Sequence, residues 1–589
     1  MVFGESVACV CHCFRNVIEG FARRILGQDS RSEIDMKERS MQSGVVGVLL
    51  VSGAVLMNGC GAVEQREGPE ALLYEGFGDY SKTITTDSRE AQEWFDQGLQ
   101  LMYGFNHDEA VRSFEKAAEV DPSAAMAWWG VAYCQGININ DPEMTEERSR
   151  LAREATDKAI AAIDTETAVE RALVEALSAR YEWPVRDGRA GLDQAYADAM
   201  EGVYGRFSDD VDVGALYAES LMNLQPWDYW ETDGSPKGRI EEVVEVIEGV
   251  MARDPEHPGA LHFYIHAVEA SKDPDRAVAA AEELTDLVPG SGHLVHMPSH
   301  IFIRVGRYAD AAASNTDAIE ADRAYFADAP DPGIYAMYYA HNQHFLAFAS
   351  MMSGDYGTAI GAARDLEDEM PEGPLREFAG LIEGIMPSSL HVMIRFGKWE
   401  EILEEPDYAD YRLMSRATWA YARSVACSAL GKTAQARAEM AEFERRVALV
   451  PEDWFVFNNS VHEVLPIARA MMRGELLYRE GKKEEAFAIL REGVAQEDTL
   501  VYDEPPAWML PVRHALGALL VESGGFVEAE KLYLEDLEKN RGNGWALVGL
   551  RESLAGQGRM GEAMALDDRI KAAFASADTV VESSCFCAP

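Results

Sequence analysis

The segment AQEWFDQGLQLMYGFNHDEAVRSFEKAAEVDPSA (91–124) decides how the whole chain folds. Trp94, Gly98 and Leu101 recur at helical spacing and share one face of a first helix. Gly98 has no side chain, so a second helix can approach closely there, and Ala110, Phe114 and Ala117 supply its opposing face. Pro122 ends that second helix because it has no N–H to donate. MAWWGVAY (126–133) begins the next helix at once. The local unit is therefore a helical hairpin closed on itself, with outer faces left for the next hairpin.

These spacings resemble the tetratricopeptide (TPR) repeat, a helical hairpin of about 34 residues. Glycine at position 15 and alanine at position 20 of that unit phase much of the remaining chain. Gly306, Ala311 and Ala318 fix a unit starting near 292, and Gly354, Tyr356 and Ala359 one near 340. Gly397 with Trp399 fixes one near 383, Gly431 with Ala436 one near 417, and Gly481 with Ala486 one near 467. Gly524, Ala529 and Tyr533 mark 510, Gly558 and Ala563 mark 544, and Ala277 with Pro289 mark 258. The steps from 292 to 340 and from 417 to 467 carry insertions, and residues 165–255 are helical by pattern without a clear phase. The expected fold is all-α, a TPR-like right-handed superhelical solenoid of helical hairpins, running as one array over 86–575. A composition rich in Ala, Glu and Leu, poor in β-branched runs, agrees. A repeat array packs neighbour on neighbour, so 589 residues need not divide into globular domains. DEPPAWMLP (503–511) reads as an ordered loop between repeats, with Pro511 suited to start the next helix.

The ends differ in kind. Residues 1–59 form an N-terminal extension containing the uncharged run GVVGVLLVSGAVLMNGC (44–60), which has signal-peptide length and is short for a membrane span. It resembles a bacterial lipoprotein signal, which implies that Cys60 becomes the lipidated first residue of a cell-envelope protein facing the periplasm or the outside. Asn58 and Met57 depart from the usual pattern. An uncleaved anchor is the alternative. Met36 or Met41 is the expected start, which would leave the metal-like CVCHC (9–13) untranslated. Residues 60–85 read as a polar linker and 576–589 as a C-terminal tail. In that tail, Cys585-Phe586-Cys587 suits a soft-metal chelate or, preferably, an untethered end. Cys134 and Cys427 read as small buried residues.

A formal net charge of −48, from 101 acidic and 53 basic residues, excludes nucleic acid as a partner, because no basic surface exists to neutralise phosphates. It equally disfavours attraction to anionic lipid. Such acidity draws cations only diffusely and is not itself a site.

In the TPR family, positions 2, 5, 9 and 12 of the first helix face a concave groove that binds ligands. The resemblance places His262, His266 and Glu269 at positions 5, 9 and 12 of the unit at 258. His293, His296 and His300 take positions 2, 5 and 9 of the next unit, His341 and His344 positions 2 and 5 at 340, and His391 position 9 at 383. Eight of twelve slots are histidine, where the 13 histidines of the chain scattered at random would fill about 0.3. Residues four apart on a helix lie one above the other, so His262/His266 and His296/His300 can each converge on an ion. Imidazole suits a transition metal (Zn, Cu, Ni or Fe) better than Ca or Mg. Glu269 is a ligand or the acceptor that orients one. Pro298 complicates the middle unit: a helix beginning there would leave His293 and His296 on the preceding loop.

Further groove candidates are Arg304 and Arg395, suited to a carboxylate or phosphate, and Glu504, Trp508, Arg513 and His514 around the Pro-rich loop. LQPWDYWETDG (224–234) offers a carbohydrate or cation platform, or plain aromatic packing. There is no Gly-rich phosphate loop, Ser-His-Asp motif or HExxH. The sequence thus points to a cell-envelope TPR lipoprotein whose groove holds a transition metal or a metal-held ligand. The chain also resembles a group of bacterial TPR proteins of unassigned function, which brings no activity with it. Two alternatives stand: a metal-dependent enzyme, hydrolytic or oxygen-using, with Glu269 or Glu504 as base, and a scaffold binding a protein or small ligand without metal.

Overall fold

The computed structural model describes residues 71–186, 188–329 and 333–586. Helical hairpins follow one another from Arg89–Tyr103 and His107–Val120 to Gly544–Gly556 and Met560–Met564. Among the described residues, strands are confined to Phe455–Val456 paired with Asn459–Ser460. The fold is all-α and TPR-like.

Local chemistry explains the hairpins. Ser88 and Asn106 accept hydrogen bonds from the backbone N–H groups of Ala91 and Glu109, capping the first two helices. The Phe114 ring fills the space beside both Gly98 and Gly130: a Cβ there would meet it at 2.7 and 2.5 Å. The phasing glycines 306, 354, 397, 431, 481, 524 and 558 all have φ between 64° and 85°. The hairpin turn needs a left-handed residue, and glycine adopts that conformation without a Cβ clash.

The insertion after 292 is a long second helix, Tyr308–Asp328, and the insertion after 417 carries the small strand pair. The unphased stretch holds the helices Ala168–Leu177, Ala190–Phe207, Val211–Met222 and Ile240–Met251. Pro298 divides one first helix into Gly292–His296 and Pro298–Arg304. His293 and His296 therefore stay helical rather than moving to a loop, because Pro298 needs no N–H partner at its own N-terminal position.

Among the described residues the groove histidines, His341 apart, are buried rather than set along an open concave surface. The array curls until distant repeats touch, and side chains fill its inner side. His262 Nδ1 lies 2.7 Å from the Tyr103 carbonyl oxygen, Tyr325 Oη donates to Glu109 at 3.2 Å, and Trp545 Nε1 donates to the Met351 carbonyl at 3.1 Å. The turn at Gly306 rests on residues 541–542. Aromatic and small residues on the inner faces make this closure favourable, since it removes apolar surface from water.

The described part of the linker, from residue 71, also packs on the array. Lys82 Nζ bonds Asp210 at 3.0 Å and Asp212 at 2.9 Å, and Gly290 N–H donates to the Gly76 carbonyl at 2.7 Å. The tail is tethered rather than loose. Ser584 is buried, its hydroxyl bonds Tyr533 at 2.6 Å and the His514 carbonyl at 2.9 Å, and Cys585 is disulfide-bonded rather than free to chelate. CVCHC, the apolar run 44–60 and Cys60 lie outside the described residues. No described helix is long and apolar enough to cross a membrane.

Candidate metal centre

Helix Pro258–Val268 carries His262 and His266, with Glu269 as its C-terminal cap. A Cβ on Gly259 would meet the Tyr103 ring at 2.3 Å, so glycine there lets the first hairpin come close enough for Tyr103 to reach His262. Gly292–His296 and Pro298–Arg304 carry His293, His296 and His300, and Ala336–Ser353 carries His341 and His344. His262, His266, His293, His296 and His300 are at most 3% exposed, and His341 is partly exposed.

Three groups each bring ligand atoms within 4.8 Å of one another: His262/His266/His293, His296/His300/His341, and Glu269/His300/Glu504. His262 Nε2 faces His293 Nε2 at 3.1 Å, and His296 Nε2 faces His300 Nε2 at 2.7 Å. Nitrogens bound at about 2.0–2.1 Å to one tetrahedral ion stand about 3.3 Å apart, close to the first spacing and longer than the second.

Hydrogen bonds fix which nitrogen carries a proton. His262 Nδ1 faces a carbonyl oxygen, which only accepts, so Nδ1 carries the hydrogen and Nε2 a lone pair. Asn315 Nδ2 donates to the Ala311 carbonyl at 2.8 Å, which turns Asn315 Oδ1 toward His296 Nδ1 at 2.7 Å. Glu269 accepts from His266 Nδ1 at 2.9 Å through one oxygen and from His300 Nδ1 through the other. His296 and His300 thus turn their Nε2 atoms toward each other, a contact that either a metal ion or a single proton between them satisfies. His266 Nε2 has no hydrogen-bond partner among the described residues. Acceptors on the far nitrogens of metal-binding histidines have this orienting role.

Burial pushes the imidazoles of His262, His293, His296 and His341 well below the usual histidine range, with neighbouring imidazoles adding to the effect. They are neutral donors, the form that binds metal. Burial works to raise the Glu269 carboxyl, but the nearby His300 and the two imidazole hydrogen bonds hold it below the carboxylate range. Glu504 moves the other way: burial, then the charge of Glu269, push it well above that range, against Arg304. Its Oε2 lies 3.3 Å from His300 Nδ1. The Pro-rich loop thus reaches the centre, and Asp503 anchors it by accepting from Asn458 N–H at 3.0 Å and Asn459 Nδ2 at 2.6 Å.

Three aromatic rings line the cluster from strained backbone. Phe105, Trp227 and Phe457 have φ of 56°, 64° and 49°, and they are the non-glycine residues with positive φ among those described. The Phe105 ring lies 4.5 Å from His262, 5.9 Å from His293 and 6.3 Å from His266. Trp227 meets His266 edge-on at 5.0 Å, and Phe457 meets His341 at 5.6 Å and His344 at 5.7 Å. A left-handed Cβ costs about 1–2 kcal/mol, and such strain concentrates at functional sites.

Other sequence candidates lie elsewhere. His344 packs on Phe457, and His391 packs on Trp508 at 4.9 Å, outside the metal-competent groups. Burial lowers their pKa values to about 3 and about 4. Trp508 also stacks edge-on with Tyr421 at 5.2 Å. Arg304 lies over the Tyr502 ring beside the Glu504 loop. Arg395 bonds His514 and the Ser584 carbonyl, His514 pairs with Asp536 at 2.9 Å, and Arg513 with Asp498 at 2.7 Å. These three hold the C-terminal repeats and tail together and face no groove. Trp230 bonds the Ala267 carbonyl at 2.9 Å, so the tryptophan-rich stretch is packing around the site, not a surface platform.

Sequence reasoning missed Tyr103, Asn315, Phe105 and Phe457. One signal was present: Phe105 occupies position 15 of its unit, where seven other units carry glycine. Nothing in sequence marks Tyr103, which acts through its backbone carbonyl.

No family model matches the chain, and no curated protein matches its sequence. Among solved structures it is similar to a human IFIT1 dimer with m7Gppp-AAAA, at 11% identity over 83% of this chain and 90% of that one, with a TM-score of 0.29. A monomeric IFIT1 mutant with Gppp-AAAA is 12% identical over 82% and 96%, with a TM-score of 0.34. Yeast Tom70 is 10% identical over 82% and 91%, with a TM-score of 0.28. At such TM-scores the likeness transfers nothing to this chain, whose fold rests on its own hairpins.

Proposed function

We propose that this protein binds a first-row transition metal in a buried histidine centre at the heart of a TPR-like solenoid. The observation that carries the reading is the pair of lone pairs at His296 and His300, set 2.7 Å apart by acceptors on both far nitrogens. One proton would also satisfy this pair, and His293, whose Nδ1 has no partner among the described residues, can donate to His262; further support for a metal comes from the convergence of three ligand atoms within 4.8 Å in each histidine trio. Three protein nitrogens in each of the two all-histidine groups leave a coordination position open, as in catalytic rather than structural sites. A carboxyl group at Glu504 beside the cluster supports the metal-dependent enzyme as a second reading. The filled interior leaves a metal-free peptide scaffold without the inner groove it needs.

The location we propose is the cell envelope, with Cys60 lipidated and the solenoid outside the cytoplasm; a disulfide at Cys585 suits an oxidising compartment. Replacing Cys60 by Ser should release the protein into the soluble fraction, and retention in the membrane would refute lipidation. Elemental analysis of purified protein should find a first-row metal that His266→Ala/His300→Ala protein lacks. Wild-type protein that carries no metal, and shows no thermal shift with Zn²⁺, Cu²⁺, Ni²⁺ or Fe²⁺, would refute the metal centre.

A further inference from the structure

We infer that the centre takes two ions, one held by His262, His266 and His293 and the other by His296, His300 and His341. This rests on the reading that these imidazoles bind metal, and it adds how many ions they hold and how they divide.

The division follows the repeat. The first trio takes positions 5 and 9 of the unit at 258 and position 2 of the unit at 292. The second takes positions 5 and 9 of the unit at 292 and position 2 of the unit at 340. The same three-residue device thus occurs twice, displaced by one repeat. It then stops: the unit at 340 has His344 at position 5, but Phe348 at position 9 and Gly384 at position 2 of the next unit. This explains why His344 lies outside the metal-competent groups.

Ligand-atom spacing groups the trios: in each, the atoms that would hold an ion lie within 4.8 Å of one another. Within them, ring centroids of the facing pairs lie 4.9 Å apart for His262/His266 and His262/His293, 4.7 Å for His296/His300 and 4.8 Å for His296/His341. Ring spacing does not divide the six by itself, since His266/His293 and His300/His341 within the trios lie 6.3 and 5.9 Å apart, against 5.7 Å for His266/His300 and 6.0 Å for His293/His296 across them. Each trio contains its own pair of facing Nε2 atoms, at 3.1 and 2.7 Å. One tetrahedral ion with nitrogens at about 2.0–2.1 Å accommodates four ligands, so six converging imidazoles exceed what it can use. Glu269 joins the two halves: one oxygen orients His266 of the first trio, the other His300 of the second. A single carboxylate shared in this way sets both ligand sets in one rigid frame.

Metal-free full-length protein titrated with Zn²⁺, and separately with Cu²⁺, tests the pair by elemental analysis after desalting. The expected stoichiometry at saturation is two ions per chain. His293→Ala and His341→Ala should each retain one, and the double variant none, with helical content by circular dichroism checking that the variants fold. In the Cu²⁺ arm, paramagnetic resonance should show magnetic coupling in the wild type, and one uncoupled Cu²⁺ in each single variant. Wild-type saturation at one ion would overturn the pair while leaving the metal centre standing. No uptake by the wild type would overturn both, and the wild-type result decides even if a variant fails to fold.

Discussion

Replacing Phe105 separates two effects that the structure couples, backbone strain and aromatic burial. Phe105 is 3% exposed and has φ 56°. Phe105→Ala removes the ring but keeps a Cβ in the left-handed turn, and truncation of a buried phenylalanine costs about 3–5 kcal/mol. Phe105→Gly loses the same ring but relieves about 1–2 kcal/mol of Cβ strain. It gives back about 0.4–1 kcal/mol through the freer unfolded chain. The glycine variant should therefore be more stable than the alanine variant by about 0.5–1 kcal/mol, and less stable than wild type by about 2–4 kcal/mol. Urea unfolding of the metal-free proteins, followed by tryptophan fluorescence, measures both differences. Equal stability of the two variants would refute the strain. A glycine variant as stable as wild type would refute the packing of the ring on His262, His266 and His293.

Glu269→Gln should weaken metal binding about 10–100-fold in chelator competition while preserving the fold, because the amide fills the same volume but orients imidazole poorly; unchanged affinity would remove Glu269 from its orienting role. In metal-free protein the contribution of the buried histidines to stability should fall with pH. Folded-state pKa values near 3 and 4 for His344 and His391 lie below the unfolded value of about 6.5, so their stabilisation is present above about 6.5 and declines down to those values. Each buried neutral histidine contributes a slope of about 1.4 kcal/mol per pH unit in that window, opposed by buried carboxyls such as Asp322 and Asp503, raised to about 8, so the test compares wild type with His391→Phe, and an unchanged pH slope of stability in that variant would contradict the burial of His391 as a neutral ring. Gly98→Ala should cost about 1–3 kcal/mol by driving a methyl group into the Phe114 ring, and an unchanged melting temperature would show that the first hairpin is looser than described.

Much of the solenoid was legible because repeats reuse one solution. Glycine at position 15 and alanine at position 20 mark a turn and a close contact that recur in most of the phased units. The ligand histidines were legible for the same reason, since position within the repeat fixes direction. Their burial was not legible: whether the inner face of an array is open or filled depends on contacts such as Tyr103 to His262, between residues far apart in sequence. Glu504 could be named as a candidate but not placed, because its loop is fixed by Asp503 on Asn458 and Asn459 rather than by any periodicity. Arg395, Arg513 and His514 read as groove candidates in the sequence, yet Asp498, Asp536 and the tail hold them as braces.

The closure of the array bears on how the protein is made. Ordinary solenoids assemble by adding each hairpin to its neighbour, so folding can begin anywhere and keep pace with synthesis. Here the Tyr103 carbonyl on His262 and the Glu504 loop beside His300 join segments synthesised far apart. Such non-local contacts pay their loop-closure entropy before they gain anything, which makes them the slow steps. The unit bearing His300 therefore emerges from the ribosome well before the loop that covers it, and the histidine cluster stays open to solvent until the C-terminal repeats arrive. Metal loading would then have a natural window, after the imidazoles are aligned and before the last repeats seal them in.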